Sequence, residues 1–93
     1  MRVLIHERVM RKRPDISGED ARSAFVNAIA SQTRSGVSPP RTIGVGPDRS
    51  GRLLQWAAVP LGGEPGWLVF HAMPVTSGVM AELGLPKTRR RDG

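Results

Sequence analysis

Two histidines and a scatter of arginines are the residues of this 93-residue chain best suited to chemistry. His71 ends an apolar run of strand length, GWLVFHAMP, just before a proline and a threonine. Arg41 opens an earlier run, RTIGVGP, while Arg49 and Arg52 flank the turn that follows it. An imidazole moves protons near neutral pH. A guanidinium fork matches a phosphate. Together they supply what phosphodiester cleavage through a ribose 2′-OH needs: a base for the hydroxyl, cations for the developing phosphorane, and an acid for the leaving oxygen. The same residue types also occur in purely structural settings, where a strand-end imidazole simply bonds a neighbour. No carboxylate is spaced with His6 or His71 as a metal motif, and no cysteine is present, so neither a metal nor another cofactor is expected. There is no P-loop, G-x-S-x-G or Rossmann fingerprint. GVGPDRSG has glycines but no P-loop lysine, and it reads as a hairpin turn.

Charge points to a polyanionic partner. The net charge is +6, with +4 within residues 1–13, +3 within residues 87–93 and −1 between them. Arg8, Arg11 and Lys12 in the first segment are candidates to grip an RNA backbone, with Arg49 and the large aromatic Trp56 as further candidate contacts. No apolar run approaches the roughly 20 residues that span a bilayer, and the N-terminus lacks a signal-peptide core, so a cytoplasmic protein without membrane contact is expected.

The elements that must position these groups follow from local signals. Val3, Leu4 and Ile5 read as a short strand, and His6 to Arg13 as a short helix stopped by Pro14. Ser17 is placed to cap a second helix over 18–31, with Glu19 and Asp20 in its first turn and Ala21, Ala24, Phe25, Ala28 and Ile29 at helical spacing. SQTRSGVSPP is a loop by composition. RTIGVGP, RLLQWAAVP and GWLVFHAMP then form an antiparallel meander, with Gly44 and Gly46 marking a bulge or a close backbone approach. Thr76 caps a last helix over 77–83, and Gly84 sits where a helix ends. The fold class is therefore α+β, in one domain over 1–86, followed by a basic, disordered tail over 87–93. Strict alternation places Leu68, Phe70 and Ala72 under the helices. It places Trp67, Val69, His71 and Met73 on the other face, which keeps some uncovered apolar area.

This layout, together with the segments HERVMRKRPDISGEDARSAFVNAI, RTIG, GRLLQWAAVP and WLVFHAMPVT, resembles the BrnT-like toxins of the wider RelE-type group. The resemblance spans roughly residues 2 to 85. It implies a toxin of a bacterial toxin–antitoxin pair that inhibits translation by cleaving mRNA, free or ribosome-bound, without a metal. It also implies a small cognate antitoxin as partner, with oligomers formed through it. On this reading His71 is the acid or base, and Arg41 and Arg52 hold the phosphate. Phe70-His71-Ala72-Met73 matches a strand end that reads I-S-(A/L)-R in better-known members, so Met73 stands where that family has an arginine. The alternatives are a non-enzymatic protein-binding module and a general nucleic-acid binder.

Overall fold

Ser17 starts the longest helix of the structure, a computed structural model that describes residues 1–86. Its Oγ accepts the Asp20 backbone N–H at 3.0 Å, satisfying one of the donors a helix start leaves open. The elements in chain order are β1 (Arg2–Ile5), α1 (Arg8–Lys12), α2 (Gly18–Val26), β2 (Ala30–Arg34), β3 (Arg41–Pro47), β4 (Leu53–Pro60), β5 (Gly66–Pro74) and α3 (Ser77–Glu82). The strands form one mixed sheet in the order β1-β5-β4-β3-β2. The expected α+β class and the meander β3-β4-β5 are present. The tail expected over 87–93 lies outside the described residues. Among those described, no helix is long and apolar enough to cross a membrane.

Two parts of the layout differ from the sequence expectation. The helix expected over 18–31 ends at Val26, and the segment expected to be loop begins with a fifth strand, β2. Ala28, Ile29 and Ala30 continue the helical period, but the period does not mark burial there: Val26 is 62% and Ile29 56% exposed. The backbone instead turns to the open edge of β3. Ile29 N–H donates to the Val45 carbonyl at 2.8 Å, and β2 then pairs antiparallel with β3 from Ala30↔Val45 to Arg34↔Arg41. The other difference is that β1 joins the same sheet, running parallel to β5 from Arg2↔Gly66 to Ile5↔Val69.

The core lies between α2 and the sheet. Ala21, Ala24, Ile16, Leu54 and Val69 are all fully buried there. Each large apolar side chain so placed contributes about 1.5–3 kcal/mol. Small residues let α2 approach the sheet. A Cβ on Gly46 would overlap the Ala24 carbonyl, and one on Gly44 would overlap the Trp56 ring. Both glycines are thus close-approach sites. The bulge lies elsewhere, on β5.

Trp56 itself corrects a sequence expectation. Placed among the surface contacts for RNA, it is instead 3% exposed, stacks edge-on against Phe25 with centroids 4.6 Å apart, and donates its indole N–H to the Ala24 carbonyl at 3.0 Å. That carbonyl lies in the last turn of α2, where the helix supplies no partner. Trp67 also belongs to this face, packed against the core.

The bulge resets which side chains of β5 face which way. Ala57 pairs with His71 but Ala58 pairs with Val69, leaving Phe70 as the extra residue. Cross-strand partners share a face. Gly44–Trp56–Ala72 is therefore a row under α2, while Ile43–Ala57–His71 and Val45–Gln55–Met73 are rows on the opposite face. Val69 and Ala72 both reach the core. His71 keeps its expected place on the face away from α2, but Val69 and Trp67 do not.

Candidate functional site

The face of His71 is closed at one end by α3 and bordered on one side by α1. Thr76 caps α3, with its Oγ1 accepting the Val79 N–H at 3.3 Å. Gly84, at φ 72°, ends the helix: its N–H donates to the Ala81 carbonyl and Leu85 N–H to the Met80 carbonyl, a Schellman pair. On the other side β1 stops after His6, whose backbone N–H donates to the Val69 carbonyl at 2.8 Å. His6 then turns its Nδ1 to the Arg8 N–H at 3.0 Å and so starts α1. In this way α1 lies along β5 just beyond the point where β1 ends. His6 is spent on local structure. His71 is not: among the described residues its ring makes no hydrogen bond, and it remains exposed.

Two cavities meet at His71. The first, of about 290 Å³, is lined by Arg8, Arg34, Arg41, Gln55, Phe70 and His71 over an apolar floor that includes Ile43, Ala57 and Val79. The second, of about 270 Å³, runs along α1 past Arg8, Lys12, Arg13, Phe70, His71 and Met73. Among the described residues neither has a carboxylate in its lining. Burial, with further help from the charges of Lys12 and Arg8, holds the His71 imidazolium pKa below its ordinary value of 6.5. The imidazole is therefore neutral at pH 7 and available as a base. Arg41 sits with its guanidinium carbon 5.6 Å from the Phe70 ring centroid, a cation–π arrangement that fixes it at the mouth of the first cavity.

The structure brings together only some of the residues singled out in the sequence. His71, Arg41, Arg8 and Lys12 share the two cavities, and the largely buried Trp56 is part of the lining of the first. Arg11, on the helix of Arg8 and Lys12, lines neither. Arg52 is elsewhere. Its Nε donates to Asp48 Oδ2 at 3.1 Å and its Nη1 to Asp15 Oδ2 at 3.3 Å, so it serves the turn after β3 and does not reach phosphate beside His71. Arg49 is held by the N-terminus of α2, with its Nε on Asp20 Oδ1 at 3.1 Å and its Nη1 on Glu19. Asp20 thus does not close a capping box; its carboxylate goes to Arg49. These pairs account for Asp15, Glu19, Asp20, Asp48, Arg49 and Arg52 of the middle segment. Asp48 itself is buried, which pushes its carboxyl up. Hydrogen bonds from Ser50 Oγ, the Ser50 and Arg52 backbone N–H groups and the Arg52 side chain outweigh that and leave its pKa at about 2.

Four lining residues with polar or aromatic side chains escaped the sequence reading: Arg13, Arg34, Phe70 and Gln55. Arg34 comes from the unexpected strand β2 and pairs with Glu82 of α3 through bonds of 2.6 and 3.0 Å. Phe70 reaches the cavity only because of the bulge. Gln55 carried a faint signal, as the one polar residue within LLQWAAV. Among the described residues no cluster of three or more His, Cys, Asp or Glu side chains could hold a metal ion. No protein-family model, no curated protein and no solved structure matches this chain.

Proposed function

We propose that the chain is an endoribonuclease of the RelE type, the toxin of a toxin–antitoxin pair, acting on RNA at His71. The observation that carries the reading is an exposed imidazole, unpartnered among the described residues and ringed by Arg8, Lys12 and Arg41, with none of the described carboxylates in the lining. In the reaction His71 takes the proton of a 2′-OH, and the 2′ oxygen bonds to the adjacent phosphorus. The bond from phosphorus to the 5′ oxygen breaks, leaving a 2′,3′-cyclic phosphate and a 5′-hydroxyl. Arg41 and Arg8 stabilise the charge on the phosphorane oxygens. The leaving oxygen takes its proton from Lys12 or water, and the imidazolium returns its proton to solvent. Every step uses side chains of the site and solvent protons, with Lys12 regaining from solvent any proton it gives up.

Met73 stands where the resembling family has an arginine. In this chain the cavity beside Met73 takes its positive charge from Arg8 and Lys12 of α1, since Arg13, which also lines it, is paired with Asp15 at 3.2 Å. The basic helix thus supplies the charge that the strand lacks. Inducible expression in a bacterial host tests the reading: growth arrest with loss of RNA is expected for the wild type and not for His71→Ala. Normal growth with intact RNA, at good levels of folded wild-type protein, would overturn it. Co-expression with the product of an adjacent gene is expected to restore growth and to yield a complex.

A second reading, a nucleic-acid binder without activity, is favoured by one observation. Among the described residues His71 is the one imidazole in the lining of the cavities and no carboxyl joins it, so no dedicated second imidazole or carboxyl serves as the acid. Binding with no cleavage by wild-type protein would select it.

A further inference from the structure

The first cavity contains an amide whose orientation is fixed. Gln55 Oε1 accepts two hydrogen bonds from Thr76, one from the backbone N–H at 2.8 Å and one from Oγ1 at 2.9 Å. A backbone N–H is only ever a donor, so the amide cannot be turned the other way round. Its Nε2 has no acceptor among the described residues, so both its hydrogens are available, and Gln55 lines the cavity. The charged side chains around it, Arg8, Arg34 and Arg41, are donors only; the neutral His71 ring carries one acceptor nitrogen, and the Trp56 indole N–H is spent on the Ala24 carbonyl. Phe70 and the guanidinium stacked on it provide a flat wall. The volume of about 290 Å³ is near the lower end of small-molecule pockets, typically ~300–1,000 Å³.

From this we infer that the cavity is a nucleobase pocket selective for guanine, read through its Hoogsteen edge by Gln55. Bases stack on aromatic rings and on arginine planes, and single-stranded RNA offers them for this. The guanine Hoogsteen edge presents O6 and N7, both acceptors, which a donor-lined site satisfies. Adenine and cytosine present an exocyclic amino group that needs an acceptor, which Gln55 Nε2 and the arginines cannot supply, and uracil presents O4 without a second acceptor to match N7. The base lies against Arg41 and Phe70, while the adjoining phosphate lies toward Arg8 and Lys12 across His71. The inference deepens the proposed ribonuclease reading by naming the base beside the cleaved bond, but guanine binding does not itself require cleavage.

The test uses the full-length protein and 2′-deoxy tetranucleotides that cannot be cleaved, each with one central G, A, C or 7-deaza-G, with binding read by fluorescence anisotropy. The G ligand is expected to bind at least tenfold tighter than the A, C and 7-deaza-G ligands. Gln55→Glu keeps the bonds to Thr76 but replaces Nε2 with an oxygen; it is expected to remove or reverse the G-to-A ratio, whatever it does to overall affinity. Equal affinity for all four ligands, or an unchanged ratio in folded Gln55→Glu, overturns the inference. RNA cleavage is scored separately, on ribonucleotide substrates. Cleavage without base preference leaves the ribonuclease reading standing and removes this one, and guanine-selective binding without cleavage does the reverse.

Discussion

Salt dependence of RNA binding separates the arginines that face the groove from those already neutralised. Arg8, Lys12 and Arg41 line the cavities and have no carboxylate partner among the described residues, whereas Arg49 and Arg52 are bonded to Glu19, Asp20, Asp48 and Asp15. A single strand releases counterions with a slope of about −0.7 in log K per log salt for each phosphate neutralised. Three free cations therefore contribute about −2, and a rise from 50 to 200 mM salt weakens their share of binding by roughly 20-fold. Lys87, Arg89, Arg90 and Arg91 add to the absolute slope, so the informative quantity is the difference between variants. Arg8→Gln and Arg41→Gln are each expected to flatten the slope by about 0.7, and Arg49→Gln by close to zero. Anisotropy titrations of a labelled single-stranded RNA at four salt concentrations provide the assay. An Arg49→Gln slope change as large as that of Arg41→Gln would refute the argument that ion pairing removes an arginine from RNA binding.

Other consequences concern pH and packing. If His71 is the base, kcat/KM for RNA falls as pH drops through its pKa, which lies below 6.5; Arg8→Gln removes a neighbouring cation and is expected to move that acid limb upward, as read from a pH–rate profile. The folded pKa of Asp48, about 2, lies below the unfolded value of about 3.9, so its contribution to stability is complete above that value and is lost as pH falls toward 2. Denaturant melts should accordingly show Asp48→Asn less stable than wild type at pH 7, with the gap narrowing between pH 4 and pH 2. Gly46→Ala forces a methyl into the Ala24 backbone and is expected to cost about 1–3 kcal/mol in the same melts, while Gly51→Ala meets no neighbouring atom and is limited by its positive φ of 94°.

The sequence made the parts governed by local chemistry legible. Ser17 and Thr76 cap the helices they were expected to cap, Gly84 ends α3, and the Gly-containing connections do join three strands into a meander. Contacts between distant segments were not legible. β2 has one half-buried residue in five, so no hydrophobic alternation announces it, and its pairing depends on the free edge of β3. The bulge at Phe70 is one residue of register, invisible in an apolar run, yet it places Phe70 beside His71 and sends Val69 to the core. Arg41 and Arg52 look alike in the sequence. Only the fold brings Asp15 and Asp48 to one of them and an aromatic ring to the other. Trp56 misled because large aromatics serve both cores and stacking platforms, and only its bond to Ala24 decides between them.

The most direct test of the account is the end chemistry of RNA incubated with purified wild-type and His71→Ala protein, both shown to be folded by circular dichroism. The account predicts 2′,3′-cyclic phosphate and 5′-hydroxyl ends with the wild type and loss of cleavage in His71→Ala. Intact RNA with the folded wild type, or the same ends at an unchanged rate in the variant, would contradict it.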